Sequence, residues 1–258
     1  MRARGAAFAL PAVAAGGLAM QAYLSAHAPL PAFDDLDVSG EYGSGAGAPL
    51  RVAVLGDSTV TGPGLEHPSQ VFVARCAERL PQRVRLERHA VGGARIRDVV
   101  DRQLPAVLES PPELAFVSVG ANDAIHGTPA RRYGRDLGRL LLALTAAGVR
   151  TVTCGLPNLS VLPRVPKPLR RVVGARGVAV DREHARVVGR FERAIRVPAG
   201  PEVDAHFRDR ADMLFAGDRY HPNAAGHEVL AEACYPYFAE AVARAVVDRA
   251  IRRLEPRL

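Results

Sequence analysis

Beyond the first fifty residues, short apolar runs alternate with longer segments in which apolar residues recur at helical spacing. Residues 51–56 are apolar at nearly every position, which is typical of a strand buried on both faces of a parallel sheet. Residues 67–80 instead place Phe72, Cys76 and Leu80 on one face of a helix. The pattern predicts, in order, strand 51–56, helix 67–80, strand 84–89, helix 96–108, strand 114–119, helix 129–147, strand 149–154, a weak strand 194–197 and a final helix 224–254.

This alternation predicts an α/β fold, because right-handed crossovers place successive strands parallel in one sheet with helices on both faces. In such a sheet, ligands bind in the crevice beyond the carboxyl ends of the strands. The residues that follow the predicted strands are therefore the candidates for chemistry. They are the pairs Asp57-Ser58, Gly92-Gly93, Asn122-Asp123 and Pro157-Asn158.

Residues 1–28 have the pattern of a signal or membrane-anchor segment. Arg2 and Arg4 precede an uncharged run over residues 5–26, which is long enough to span a bilayer. Pro29 directly follows the small-residue site 26–28 and disfavours cleavage by signal peptidase. We expect an uncleaved anchor that leaves the domain outside the cytoplasm; a secreted form after cleavage and a peripheral segment are the alternatives.

Residues 29–49 are predicted to form a flexible linker, because three prolines flank the glycine-rich stretch 43–47 and no strand precedes that stretch. Residues 50–258 then form one domain, of a size that a single hydrophobic core can support.

The charge pattern narrows the range of partners. The net charge of +7 comes from arginine, with Lys167 as the single lysine. The arginines are spread along the chain and interleaved with acids, as in residues 131–139, and the sequence has no basic arm or zinc-ligand spacing. This argues against nucleic-acid binding. A mild attraction to anionic lipid surfaces remains open.

The three cysteines, Cys76, Cys154 and Cys234, form no C-x-x-C spacing, so we expect no metal site. Their simplest interpretation is three small buried thiols. Cys76 and Cys234 fall on the first and last predicted helices, so an extracytoplasmic disulfide between them is the alternative.

Ser58 follows the first predicted strand in the sequence Gly-Asp-Ser-Thr. A hydroxyl group there lies at the mouth of the sheet, beside backbone N–H groups that favour a developing negative charge. A serine in this position is also a common helix cap. Val60 replaces the second glycine of the G-x-S-x-G motif, so the nucleophile elbow of α/β-hydrolases is not indicated.

Asp218 and His221 lie just before the final helix, three residues apart. One turn of chain would place the carboxylate on the imidazole Nδ1 and leave Nε2 to accept a proton from a serine. The alternative is an aspartate that caps a turn beside an exposed histidine.

Two other strand ends carry hydrogen-bond donors. The Asn122 amide can donate to an oxyanion, although an Asx-turn would also explain it. Gly93 offers a backbone N–H group with no side chain to block approach, or simply makes a tight turn.

Taken together, these residues resemble the four conserved blocks of SGNH (GDSL-like) hydrolases, in order and in spacing. The resemblance covers the chain from about residue 50 to the C-terminus. The blocks are Gly56-Asp57-Ser58, Gly93, Gly120-Ala121-Asn122-Asp123 and Asp218-Arg219-Tyr220-His221, of which the last two are the most specific.

The resemblance implies a flavodoxin-like three-layer α/β/α sandwich with a central parallel sheet of about five strands. It implies a serine esterase or lipase that cleaves carboxylic esters through an acyl-enzyme, without metal or cofactor. Ser58 would be the nucleophile, His221 the base and Asp218 the residue that orients it. The Ser58 N–H, the Gly93 N–H and the Asn122 side chain would form the oxyanion hole.

The chain departs from the family pattern at several positions. Thr59 replaces the leucine of the GDSL name. Arg88 stands where an asparagine is frequent, which leaves open how the loop behind Gly93 is held. Gly92 beside Gly93 leaves the oxyanion donor open by one residue. We expect Asp57 to be structural, because neighbouring residues of a strand point to opposite sides.

Other functions remain open on the same residues. The chain could instead be an acyltransferase or deacetylase that acts on a sugar or lipid of the cell envelope, or a non-catalytic binding module. The proline-rich, basic segment 157–176 borders the predicted site. It could line the substrate pocket, meet a membrane surface or form an ordinary solvated loop.

Overall fold

The computed structural model describes residues 33–254 and Gly17. Apart from Gly17, the predicted signal or anchor segment lies outside the described residues, so the export inferred from it stays a prediction. Within the described residues, no helix is long and apolar enough to cross a membrane.

A six-stranded sheet forms the centre of the described molecule, in the order β1-β3-β2-β4-β5-β6. Strands β2 to β6 run parallel to one another, and β1 pairs antiparallel with β3 at one edge. The predicted α/β class and parallel sheet are confirmed, with one strand more than expected. The strands are β1 Gly40–Tyr42, β2 Leu50–Gly56, β3 Val84–Arg88, β4 Leu114–Ser118, β5 Arg150–Cys154 and β6 Ala194–Val197.

Helices follow most of the strands. They are α1 Phe72–Glu78, α2 Ile96–Asp98, α3 Leu104–Glu109, α4 Ala121–Ile125, α5 Ala130–Ala146, α6 Lys167–Val188, α7 Pro201–Asp209, α8 Ala211–Leu214 and α9 Ala224–Leu254. A π-helical segment, Val99–Gln103, joins α2 to α3, and 3-10 turns form at Ser58–Val60, Pro68–Gln70 and Leu159–Val161.

The sheet is covered on both faces, as a three-layer sandwich requires. Side chains alternate along a strand, so Val52 and Val54 of β2 pack into one apolar cluster while Ala53 and Leu55 pack into the other. Helices α1 and α9 cover the first face, with residues such as Phe238 in its core. Helices α2, α3, α5 and α6 cover the second face.

The chain before β2 differs from the expected flexible linker. Residues 40–42 form the edge strand β1, and Val38 is fully buried in the first cluster. A three-residue strand is too short for an alternating pattern to reveal it in the sequence. This segment also reaches the predicted site, because the Asp35 carboxylate accepts a hydrogen bond from the Gly92 N–H at 2.8 Å.

Helix α6 is the largest element that the sequence pattern missed. Its second residue is Pro168, which the first turn of a helix tolerates because the N–H groups there have no partner within the helix. Its buried face carries Gly174 and Gly177, which pack against the turn at Leu159–Val161. Because small residues replace part of the apolar stripe, the helical periodicity is weak. The interpretation of residues 157–176 as an ordinary solvated loop is therefore wrong beyond residue 166.

Candidate active site

Three side chains from distant parts of the chain form a hydrogen-bonded series at the carboxyl edge of the sheet. Ser58 begins the 3-10 turn directly after β2, and its Oγ lies 3.1 Å from Nε2 of His221. The other ring nitrogen of His221, Nδ1, lies 2.6 Å from Oδ2 of Asp218. The structure thus brings together the serine, histidine and aspartate that the sequence singles out.

The turn over residues 218–221 is built around the Asp218 carboxylate. Its Oδ1 accepts the backbone N–H groups of Tyr220 and His221 at 2.9 and 3.0 Å. Burial alone would raise the pKa of Asp218, but the hydrogen bonds from the His221 ring and from the two backbone groups hold it below its ordinary value. Asp218 therefore stays ionised beside the imidazole. Arg219 takes up the turn with a positive φ of 58°.

The two predicted oxyanion donors, Gly93 and Asn122, follow β3 and β4. A hydrogen bond from Asn122 joins the second to the residue after the first. Asn122 is buried, and its Nδ2 donates to the Ala94 carbonyl at 3.2 Å. A side-chain amide carries two hydrogens, so this bond orients the group and leaves the second hydrogen for another acceptor. Gly93 has a φ of 77°, and apart from its own chain neighbours no residue lies within 4 Å of the place where a Cβ would be. Its backbone is open to a ligand.

The contacts of Gly92 favour Gly93 over Gly92 as the oxyanion donor. The Gly92 N–H already donates to Asp35, whose other oxygen lies 2.5 Å from the Thr61 hydroxyl. Arg88 holds the same loop from the other side, because its Nη1 donates to the Ala90 carbonyl at 2.9 Å. An arginine and an aspartate thus support this loop.

The end of β2 is held in place by a residue that the sequence did not point to. Gln103, which is buried, accepts a hydrogen bond from the Gly56 N–H and donates to the Gly56 carbonyl, both at 2.9 Å. It comes from the π-helical segment, and such segments often occur at functional sites. Gly56 also passes so close to β4 that a Cβ would lie 1.9 Å from the Ser118 carbonyl oxygen. These contacts fix the backbone at Gly56, two residues before Ser58, and so help to position Ser58.

Asp57 is structural at this site. Its carboxylate caps the 3-10 turn, accepting the Thr59 N–H at 3.0 Å and the Thr59 hydroxyl at 2.8 Å. Burial raises the pKa of Asp57 to about 6. His227, in contrast to His221, is buried and accepts the Phe72 N–H, so it joins α9 to α1.

The sequence profile of the GDSL-like Lipase/Acylhydrolase family matches residues 54–229, which include the end of β2, Ser58, both predicted oxyanion donors and the 218–221 turn. This chain belongs to that family.

Individual proteins and solved structures are also similar to this chain. A GDSL-like esterase of Mycobacterium tuberculosis is 31% identical over 190 residues, a match that covers 71% of this chain and 60% of that protein. The crystal structure of TesA is 23% identical, with a TM-score of 0.60, and the match covers 74% of this chain and 99% of that one. A lipolytic G-D-S-L family protein from Veillonella parvula is 14% identical, with a TM-score of 0.59, covering 73% of this chain and 97% of that one. The similarity to the structures of TesA and the Veillonella parvula protein shows the fold of this chain.

Beside the serine–histidine pair, this GDSL-like chain has a cavity of about 140 Å³ with mainly apolar walls. Ser58 and His221 line it, and so do the almost fully buried Phe72 and Cys234, so the cavity reaches from the site into the core. The loop after β5 forms one of its walls. Further lining residues are Leu156, Leu159, Leu162, Val197, Val203, Phe207, Phe215 and Leu230.

The three cysteines are free thiols. Cys76 and Cys234 lie on the facing helices α1 and α9, as expected, but they are not joined. The Cys76 thiol donates to the Ala231 carbonyl of α9 at 3.4 Å. Cys154, at the end of β5, lines the apolar cavity together with Cys234.

Proposed function

We propose that this chain hydrolyses carboxylic esters, with Ser58 as nucleophile, His221 as general base and Asp218 as the residue that orients His221. The observation that carries the proposal is the uninterrupted series from Asp218 Oδ2 through both ring nitrogens of His221 to Ser58 Oγ, with distances of 2.6 and 3.1 Å. With the Nδ1 hydrogen donated to Asp218, Nε2 has a free lone pair that faces the serine hydroxyl.

In the first step, Ser58 Oγ attacks the ester carbonyl carbon while its proton passes to His221 Nε2. The carbonyl oxygen takes the negative charge, and the bond to the alcohol oxygen then breaks. The proton on Nε2 goes to that oxygen, so the alcohol leaves neutral and the acyl group stays on Ser58. Asp218, ionised and fixed by three hydrogen bonds, stabilises the transient imidazolium.

In the second step, a water molecule attacks the acyl-enzyme and gives a proton to His221 Nε2. The ester bond to Ser58 breaks, Ser58 Oγ recovers the proton, and the carboxylic acid leaves. In both steps the negative charge on the acyl oxygen would be received by the N–H groups of Ser58 and Gly93 and by the Asn122 amide. The fixed orientation of that amide supports this role, because a preorganised donor needs no rearrangement as the charge develops.

The acyl portion of the substrate is expected to be apolar and longer than acetyl. The support is the apolar cavity that Ser58 and His221 line, because an acyl chain bonded to Ser58 would exchange water for these walls. A GDSL-like esterase is among the relatives of this chain, which fits ester hydrolysis as the reaction class.

A fluorophosphonate probe tests the nucleophile directly. We expect labelling of the full chain, loss of labelling in Ser58→Ala, and retained labelling in Ser69→Ala, which removes an exposed hydroxyl from another 3-10 turn. Hydrolysis of p-nitrophenyl esters should likewise be lost in Ser58→Ala and retained in the full chain and in Ser69→Ala. If the full chain is neither labelled nor able to hydrolyse these esters, the proposed function is wrong.

A further inference from the structure

A second cavity, of about 340 Å³, lies beside the Leu159–Val161 turn. Its walls come from that turn, from α6, from the junction of α7 and α8, and from the 218–221 turn. Its charged lining residues are Arg170, Arg208, Arg219 and Asp212. Three arginines and one aspartate line it, so this cavity, called here the basic cavity, carries a net positive charge.

The charges of these arginines are available to a ligand. Arg170 donates to the carbonyls of Val165 and Pro163 at 2.9 and 3.0 Å, which fixes the guanidinium without neutralising it. Within residues 33–254, neither Arg208 nor Arg219 forms an ion pair within 4.0 Å, and the charge of Arg208 acts at longer range on the Asp204 carboxylate. The guanidinium group presents several N–H donors in one plane and matches phosphate or carboxylate oxygens two at a time.

The basic cavity adjoins the site at which the ester would react. Val161 lines both cavities, so the two share a wall. Along the 218–221 turn, Arg219 lines the basic cavity, while Tyr220 and His221 line the apolar one. A positive charge is therefore placed two residues from the proposed base.

The chemistry assigns different parts of the substrate to the two cavities. With the acyl chain in the apolar cavity and the carbonyl carbon at Ser58, the alcohol oxygen must lie near His221, because His221 protonates it as it leaves. The alcohol portion then continues past the 218–221 turn, on which Arg219 is also located. Because Val161 lines both cavities, the basic cavity is the adjoining space for its far end.

We propose that the basic cavity binds an anionic group, phosphate or carboxylate, on the alcohol portion of the ester. The substrate class would then be apolar acyl esters of anionic alcohols. This inference rests on the proposed function, since it assumes that Ser58 receives the acyl group.

The test compares pairs of esters in which one alcohol portion carries an anionic group and the other is neutral. Octanoylglycerol phosphate is compared with octanoylglycerol, each below its micelle concentration, and the octanoate ester of para-hydroxybenzoate with that of para-hydroxybenzamide. We expect a higher kcat/KM for the anionic ester in at least one pair. The preference should shrink as sodium chloride is raised to about 0.5 M, because exposed charges are screened.

Two variants locate the preference in the basic cavity. Arg208→Gln and Arg219→Asn should each lower the ratio of kcat/KM for anionic over neutral ester by about tenfold, equivalent to about 1.4 kcal/mol. Asparagine is chosen at position 219 because it tolerates the positive φ there. Arg132→Gln removes the same charge from the exposed side of α5 and should leave the ratio unchanged.

The outcomes separate this inference from the proposed function. Equal kcat/KM values within both pairs, with turnover that still depends on Ser58, would overturn the basic-cavity proposal and leave ester hydrolysis standing. An equal fall of the ratio in Arg132→Gln would overturn it as well, because overall charge and not the cavity would then attract the anion. Absence of turnover of all four esters, together with absence of fluorophosphonate labelling, would contradict the proposed function itself.

Discussion

Replacing Asp57 with asparagine should change how the stability of the fold depends on pH. Asp57 is 1% exposed and lies directly before Ser58. Burial raises its pKa to about 6; the hydrogen bonds from Thr59 oppose this rise and the charge of Asp123 adds to it. Asparagine keeps an oxygen for both bonds from Thr59 but cannot ionise.

The sign follows from proton binding. With a pKa of about 6 in the folded state and an ordinary value of 3.8, Asp57 holds its proton more tightly when folded. Its contribution to stability is therefore greatest below pH 3.8 and is lost as the pH rises through about 6. The gap of about 2 pH units corresponds to about 3 kcal/mol of unfolding free energy over the whole range, and to about 1.4 kcal/mol between about pH 5 and pH 8.

Urea unfolding of the wild type and Asp57→Asn at four pH values from about 5 to 8 measures this difference. The free energy of unfolding of the variant need not equal that of the wild type at about pH 5. We expect the difference between the two to shift by about 1.4 kcal/mol in favour of the variant between about pH 5 and pH 8. Asp209→Asn, which replaces an exposed carboxylate at the end of α7, is the matched control. If the stabilities of the wild type and Asp57→Asn change in parallel with pH, burial does not destabilise the Asp57 carboxylate and the reasoning fails.

Three further predictions concern catalysis. Asp218→Asn should lower kcat for p-nitrophenyl esters by roughly 10⁴-fold, because the amide no longer selects the ring tautomer with Nε2 free; steady-state kinetics on a variant with unchanged circular dichroism measures this. Asn122→Ala should lower kcat by about 100-fold or more with a smaller change in KM, and a loss below about threefold would contradict its role as an oxyanion donor. Ala233→Phe should fill part of the apolar cavity, so kcat/KM should fall far more for octanoate esters than for acetate esters. We expect a loss of about fourfold in kcat/KM for each methylene that the phenyl ring excludes from the cavity. Ala243→Phe, on the exposed side of α9, is the matched control.

Sequence patterns predict the central strands β2, β4 and β5 well, because each is a short run that is mostly buried on both faces. Residues 114–118, for example, are buried at all five positions. The final helix is predicted equally well over residues 224–254. The D-x-x-H spacing is informative for a local reason. Within four residues, one carboxylate can cap its own turn and still reach the imidazole, so the geometry depends little on the rest of the fold.

The supports of the site could not be predicted in this way. Gln103 reaches Gly56 across 47 positions of the sequence, and Asp35 reaches Gly92 across 57. Each contact depends on the packing of separate elements, and glutamine or aspartate in such positions has no distinguishing pattern. Because residues 29–49 are predicted to form a flexible linker, the sequence does not point to Asp35 as part of the site. In the structure, Asp35 accepts the N–H of Gly92, the neighbour of the proposed oxyanion donor Gly93.

The same distinction explains why the reaction class is easier to infer than the substrate. Ser58, Asn122 and the 218–221 turn are positioned by the ends of regular elements, where short motifs describe the backbone well. Both cavities instead draw most of their walls from residues 154–222, where the sequence pattern missed α6, α7 and α8. Their shape arises from the packing of a 3-10 turn against glycines of α6 and of a short helix pair against α9. Substrate selection in this chain therefore depends on long-range packing, and variants of cavity walls, more than variants of the catalytic motifs, will show which ester it accepts.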